Sequence, residues 1–343
     1  MIIRSRAPLR LGLAGGGTDI SPYCEQFGGV VLNATINMFA YCTIETLIGD
    51  TVTFEAKDMG VLTKIKSGEL IPPGEIKNEL KLHLGVFRRV REICGKLPSA
   101  FYMTTYNEAS VGSGLGSSST MVVAMVKAFV EWLNLPFGEY DIAHLAWEIE
   151  RKELGLAGGK QDQYAATFGG FNFIQFEAGD KVIVNPLRIK NWIRNEIEDS
   201  LILYNTGRSR ESANIINQQI KSVQEDGVKL QGMHDLKKAA YRMKDAVLTG
   251  NFKEFGDALR EGWIAKKATA DVISNPLLEE IYETAMNAGG VAGKLSGAGG
   301  GGFFMLYVNP VRRLDVIRSL ERFGGKAFTT QFSKEGTLGW VIR

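Results

Sequence analysis

Cysteine and histidine are scarce in this chain of 343 residues, with only three of each. Cys24, Cys42 and Cys94 are odd in number, scattered and without Cys-x-x-Cys spacing, which excludes a disulfide framework and a thiolate metal site. They are expected as reduced thiols in a cytoplasmic protein. His83, His144 and His234 are equally isolated, so neither zinc hydrolysis nor a Ser/His relay finds its partners at a recognisable spacing. No run of about 18 apolar residues occurs. Arg4, Arg6 and Arg10 interrupt the apolar start before the glycines begin at Gly15, so no membrane span, signal peptide or anchor is expected. An excess of one charge is missing too: 40 Lys and Arg face 38 Asp and Glu, a net +2. No long-range field recruits nucleic acid or an acidic membrane, so any anion site must be local.

Apolar residues make up 45% and charged residues 23%, ordinary values for a globular chain, and the length suggests two domains around a cleft. Short β-rich segments at 2–6, 9–13, 30–33, 40–47 and 51–56 make the first third a sheet region. Helical spacing follows over 80–94, then a strand at 101–106 and helices at 118–134 and 140–153. Strands at 171–176 and 181–184 return the chain to the sheet. The polar stretch 186–199 marks the expected boundary, giving domains 1–190 and 191–343. Beyond a strand at 201–205 come four helical patterns at 210–225, 234–249, 252–269 and 277–288. Strands at 291–295, 303–308 and 327–332, with a helix at 311–323, close an α+β second half on a β-β-α-β arrangement.

Chemistry concentrates in glycine clusters. Val111, Gly112, Ser113, Gly114, Leu115, Gly116, Ser117, Ser118 and Ser119 join a strand to a helix. Alternate glycines let backbone N–H groups curve inward, and the helix start adds unpaired donors and a favourable dipole for an anion. The three hydroxyls offer oxygen ligands to phosphate or Mg2+. The plain alternative is a tight turn with an N-cap serine. No lysine follows in Walker spacing, and the glycine spacing does not suit a dinucleotide fingerprint. Two further clusters flank this loop: Arg6-Ala7-Pro8-Leu9-Arg10 ahead of Gly15-Gly16-Gly17-Thr18-Asp19, and Lys294-Leu295-Ser296-Gly297-Ala298-Gly299.

These three clusters, in this order, resemble the GHMP small-molecule kinases, the family of galactokinase, homoserine kinase and mevalonate kinase. The resemblance implies a two-domain fold, with an N-terminal mixed α/β ATP-binding domain and a ferredoxin-like α+β C-terminal domain carrying extra helices. It implies ATP and Mg2+ as cofactors and residues 111–119 as the ATP-binding loop. Ser118 and Glu150 would hold the metal, Asp162 would be the catalytic carboxylate, and Arg10 would stand where some members carry a lysine near the transferred phosphate. On the residues alone, Glu150 could equally be a solvated helix position, Asp162 an N-cap, and Arg10 a surface ion-pair partner.

For the acceptor, Gly16, Gly17, Thr18 and Asp19 suit the hydroxyls of a polyol, because a carboxylate accepts from neighbouring O–H groups. Gly297 and Ala298 would pack beside them. Arg208 in Thr-Gly-Arg-Ser-Arg, with Lys160, could hold a phosphate already on the substrate, or could simply belong to basic loops. Gly-Gly-Gly-Thr-Asp, Gly-Gly-Lys-Gln-Asp-Gln-Tyr and Thr-Gly-Arg-Ser-Arg together look like the heptose 7-phosphate kinase branch of that family. The implied reaction moves the ATP γ-phosphate to the anomeric hydroxyl of a heptose 7-phosphate. The alternatives are an anomeric kinase of an unphosphorylated sugar such as fucose or galactose, and a non-catalytic sensor.

Overall fold

Apolar and β-branched segments in the first 190 residues supply seven of the eight strands of one large sheet. A computed structural model describes residues 1–69, 79–110, 112–207, 212–225 and 227–342. In chain order its first elements are β1 (Ile2–Ala14), α1 (Tyr23–Phe27), β2 (Gly29–Leu47), β3 (Thr51–Ala56), β4 (Val61–Lys66), α2 (Lys81–Cys94) and β5 (Ala100–Asn107). There follow α3 (Ser117–Leu133), α4 (Glu139–Trp147), a π-helical segment Glu148–Glu153, α5 (Gln161–Phe168), β6 (Phe171–Phe176), β7 (Val182–Pro186) and α6 (Asn191–Ser200). Then come β8 (Leu201–Asn205), α7 (Ser212–Glu225), α8 (Gly227–Thr249), α9 (Phe252–Thr269), α10 (Pro276–Asn287), β9 (Gly290–Leu295) and β10 (Phe303–Val308). The chain ends with α11 (Arg313–Leu320), β11 (Lys326–Phe328) and β12 (Leu338–Ile342).

The first sheet has eight strands in the order β12-β1-β2-β5-β3-β4, with β6 and β7 attached along the first part of β2. Two differences from the sequence pattern matter. The strands expected at 2–6 and 9–13 are one continuous β1, and Pro8 lies at a register irregularity between Pro8 and Arg10, where its missing N–H is tolerated. The strands expected at 30–33 and 40–47 likewise merge into the 19-residue β2. Its start pairs with β6 and its end with β5. Unforeseen strands are β4 and β12, the latter antiparallel to β1, so the chain end returns to the first sheet. Helix α5 is not marked by the sequence pattern and carries Asp162 in its first turn, and the polar 186–199 stretch holds α6.

The second sheet is antiparallel in the order β11-β8-β10-β9. Numbered within this half, that is 4-1-3-2, with α7 to α10 between its first two strands and α11 between its last two. This is the ferredoxin-like order with inserted helices, and the fold is α+β as the sequence pattern implied.

The helices α2 and α3 pack on the first sheet through an aromatic cluster. Phe101 on β5 is fully buried, with ring centroids of Phe54, Phe129 and Trp132 at 5.7, 5.6 and 5.2 Å. That cluster fixes α3 against β5, and the glycine and serine turn between them carries the consequences. Replacing Phe101 by Ala is expected to cost about 3–5 kcal/mol, read from the urea midpoint. A loss below about 1 kcal/mol would remove the cluster as the anchor of α3.

Candidate active site

The turn from β5 into α3 is glycine-dependent. Gly112, Gly114 and Gly116 have φ of 81°, 81° and 78°, a left-handed backbone that other residues rarely take. Asn107, at the end of β5, donates to the Ser117 carbonyl at 3.0 Å and accepts from the Ala109 N–H at 3.2 Å, which ties the two ends of the turn. Leu115 is fully buried, and its carbonyl accepts the Arg10 N–H at 3.1 Å. The inside of the turn opens on a cleft of about 680 Å3.

That cleft collects most of the expected site residues. Gly112, Gly114, Gly116, Ser117, Ser118 and Ser119 line one side, with Gly297 and Ala298 against them. Arg10, Gly16, Gly17, Asp19, Glu150 and Asp162 line the rest. Ser113 and Leu115 form the back of the turn, where the Ser113 carbonyl accepts the Phe303 N–H at 3.1 Å. Val111 and Arg208 lie outside the described residues.

Each carboxylate is held differently. Asp162, at the start of α5, receives Arg10 Nε at 2.7 Å and Arg10 Nη2 at 2.6 Å on the same oxygen, Oδ1. The third guanidinium nitrogen, Nη1, donates to the Gly114 carbonyl at 2.6 Å. Arg10 therefore ties the carboxylate to the loop, and Oδ2 has no protein hydrogen-bond partner among the described residues. Asp19 is almost fully buried and accepts from the N–H groups of Gly17 and Gln161 and from Gln161 Nε2, all at 3.0 Å. Two of those donors take Oδ1 and one takes Oδ2, which leaves a lone pair on Oδ2.

Glu150 lies in the π-helical segment, a local winding that often marks functional sites. Its side chain is buried, and Gln163 Nε2 bonds its Oε2 and, at 3.1 Å, the Ser119 hydroxyl. Glu150 Oε1 has no hydrogen-bond partner although it is buried. Arg151 Nη1 stands 3.8 Å from it, too far to donate a hydrogen bond, so a closer cation can still take that oxygen. Glu150 does not occupy the solvated helix position that is the alternative to a metal ligand.

Two expected acceptor residues are placed elsewhere. Thr18 turns inward, its hydroxyl bonding the Gly15 and Val30 carbonyls at 2.8 Å each and accepting the Val30 N–H at 3.0 Å. It pins the glycine turn and does not line the cleft. Lys160 is buried with its ammonium 2.6 Å from Asp180 and 4.7 Å from the Trp147 ring centre. Burial raises the Asp180 carboxyl, but hydrogen bonds from Lys160 and Lys152 outweigh it and hold its pKa below the usual value. Lys160 is committed to that pair on the far side of Gly159.

The structure also adds residues that the motifs did not mark. Gln161, Gln219, Arg151 and Lys266 line the cleft. Lys266 sits on α9 at the helical spacing Phe255, Leu259, Gly262, Lys266, all on its buried face. A lysine on an otherwise small and apolar stripe was the available signal.

Comparison with known proteins agrees with this geometry. Residues 81–170 match the GHMP kinases N terminal domain and residues 243–326 the GHMP kinases C terminal. The D-glycero-alpha-D-manno-heptose 7-phosphate kinase of Campylobacter jejuni is 44% identical over 340 residues, 99% of each chain. The chain is a GHMP kinase. A crystal structure described as a D-glycero-D-manno-heptose 1-phosphate kinase from Bacteroides thetaiotaomicron is 44% identical and covers 99% of each chain, with a TM-score of 0.84. The L-fucokinase/L-fucose-1-P guanylyltransferase of Bacteroides fragilis is 26% identical over 93% of this chain, which spans 36% of that longer protein. As a GHMP kinase the chain is an ATP-dependent phosphotransferase.

Two turns approach each other closely in the cleft. A Cβ on Gly297 would stand 2.6 Å from Gly114 Cα, and one on Gly114 would collide with the Ser296 carbonyl. Gly114→Ala is therefore expected to raise KM for ATP by roughly tenfold or more while the protein stays folded. An unchanged KM in an ATP titration would show that this turn does not shape the phosphate site.

Proposed function

We propose that this GHMP kinase transfers the ATP γ-phosphate to the anomeric hydroxyl of D-glycero-D-manno-heptose 7-phosphate, giving the 1,7-bisphosphate for nucleotide-activated heptose synthesis. The observation that carries the acceptor is the 44% identity, over 99% of both chains, to the Campylobacter jejuni heptose 7-phosphate kinase. The cleft geometry supports the division of labour. Inward N–H groups of the glycine turn and the start of α3 hold the donor phosphates. Asp162, fixed through Oδ1 by Arg10, presents Oδ2 to the acceptor hydroxyl and orients it or takes its proton. Asp19 accepts from neighbouring sugar hydroxyls.

The residues also fit a divalent ion. Glu150 Oε1 is buried without a hydrogen bond, 3.8 Å from Arg151 Nη1, and Glu150 lines the same cleft as Ser118. One carboxylate and one hydroxyl suit Mg2+, whose remaining ligands are characteristically phosphate oxygens and water. When bound, Mg2+ neutralises the charge of the ATP phosphates. Gln163, bonded to both Glu150 and Ser119, holds that carboxylate against α3.

A second reading is the anomeric kinase of an unphosphorylated sugar such as fucose. It is favoured by Lys160, whose commitment to Asp180 removes one of the cations suggested for the substrate's own phosphate. An ATP-coupled screen over sugars and sugar phosphates, with phosphorus NMR of the product, separates the two. Turnover of the heptose 7-phosphate with a new anomeric phosphate signal is expected, and selective turnover of a free sugar would overturn the first reading. In the same assay Asp162→Asn is expected to lower kcat by about 10²–10⁴-fold with unaltered circular dichroism. Near-wild-type turnover would remove Asp162 from the chemistry.

A further inference from the structure

A phosphoryl group in flight carries its charge on three oxygens, and a kinase cleft needs a cation aimed at them. The described cations lining this cleft are Arg10, Lys81, Arg151 and Lys266. Every nitrogen of Arg10 already donates to Asp162 or to the Gly114 carbonyl. Every nitrogen of Arg151 is likewise engaged, with the Gly159 and Leu156 carbonyls and the Ser119 hydroxyl. Lys81 is exposed at the start of α2. Lys266 is buried and has fewer acceptors beside its charge than either arginine: one carbonyl for three N–H groups, against three contacts for the five N–H groups of each arginine.

Lys266 reaches the cleft from α9. Its side chain is 3% exposed, and its ammonium donates to the Gly297 carbonyl, its one hydrogen bond among the described residues. Gly297 abuts Gly114, and Gly114 is the residue whose carbonyl Arg10 and Ser296 both hold. Lys266 thus stands beside the point where the loop, Asp162 and the third glycine cluster meet. A buried ammonium with three N–H groups and one carbonyl acceptor is short of partners, and a phosphoryl group supplies the missing oxygens.

We propose that Lys266 is a further catalytic residue, which contacts the phosphoryl group during its transfer and stabilises its charge, while Arg10 serves to position Asp162. The inference rests on the kinase reading of this cleft and not on which sugar is the acceptor. The charged groups facing Lys266 are Arg10 from β1, Asp19 from the turn after it, Asp162 from α5 and Lys294 from β9. Burial, then Arg10, lowers the Lys266 ammonium to about 8, against the opposing pull of Asp19 and Asp162. Lys266 is therefore charged below about pH 8 in the free enzyme and loses that charge above it. Lys294, which is also buried, is pushed well below its ordinary value and spends its hydrogen bond on the Gly12 carbonyl at 2.9 Å. It ties β9 to β1 and does not line the cleft.

The test compares wild type, Lys266→Met and Lys266→Arg, all as full chains. Methionine keeps the shape and removes a buried charge, so the fold is expected to persist by circular dichroism. Steady-state rates are measured with ATP and the heptose 7-phosphate from pH 6.5 to 9.5, beside the slow ATPase in which water is the acceptor. Expected for Lys266→Met is a fall in kcat of about 10²–10³-fold in both assays, with KM for ATP and sugar changed by less than about threefold. Expected for wild type is kcat/KM for ATP falling about tenfold per pH unit above the Lys266 titration. Lys266→Arg restores part of kcat and removes that alkaline fall, since a guanidinium stays charged. A Lys266→Met enzyme with kcat within threefold of wild type overturns the proposal. So does a loss confined to KM for the sugar, or an alkaline fall unchanged in Lys266→Arg. Wild type inactive on the heptose phosphate but active on another sugar overturns the acceptor assignment alone, and Lys266 is then judged on that sugar and on the ATPase.

Discussion

The contact on which the rest of this molecule depends is the one between Gly114 and Gly297. Both glycines have positive φ, and neither has room for a side chain. Through it the turn that follows β5 in the first sheet rests directly on the turn that follows β9 in the second. Ser296 Oγ donates to the Gly114 carbonyl at 2.9 Å, and Arg10 donates to the same carbonyl from the other side. One carbonyl oxygen is thereby the meeting point of all three glycine clusters. Side chains at either glycine would separate the sheets there and widen the cleft between them.

The polar groups around that contact leave Asp162 and Glu150 each with one oxygen held and one available. Arg10 takes Asp162 Oδ1 and Gln163 takes Glu150 Oε2, and in both cases the second oxygen accepts no hydrogen bond among the described residues, with Arg151 Nη1 3.8 Å from Glu150 Oε1. Incomplete satisfaction of buried polar atoms is destabilising for the empty protein. It is also what prepares the cleft for ligands that bring cations and hydroxyl groups, because little reorganisation is then required on binding. Lys266 fits the same pattern with the opposite charge. Asp19, by contrast, is held by three donors, which gives a rigid acceptor for hydroxyl groups rather than an unpaired charge.

Strand and helix identities along the first 190 residues were largely legible, because period-two and helical spacings are local properties of the chain. The glycine loop was legible for a related reason: positive φ at Gly112, Gly114 and Gly116 is a backbone demand that sequence records directly. Less local features were not. The merging of two strand patterns into β1 depends on pairing with β2, and the short β12 acquires its place only by pairing with β1. Thr18 lies beside Asp19 in the same motif, yet it bonds backward to Val30. Lys160 lies two residues from Asp162 and points to Asp180 instead.

By itself, then, the sequence determined the family, the α+β class, the three glycine clusters and the catalytic candidates within them, since these follow from local backbone chemistry and ordered motifs. Only tertiary structure decided which charges face the cleft and which are consumed elsewhere. Arg10 is occupied by Asp162, Lys160 by Asp180 and Lys294 by Gly12, leaving Lys266 from a distant helix with donors to spare. The physical reason is that an ion pair or a buried hydrogen bond is a relation between two positions far apart in the chain. The type of a residue sets what it can bond, and the fold sets what it meets.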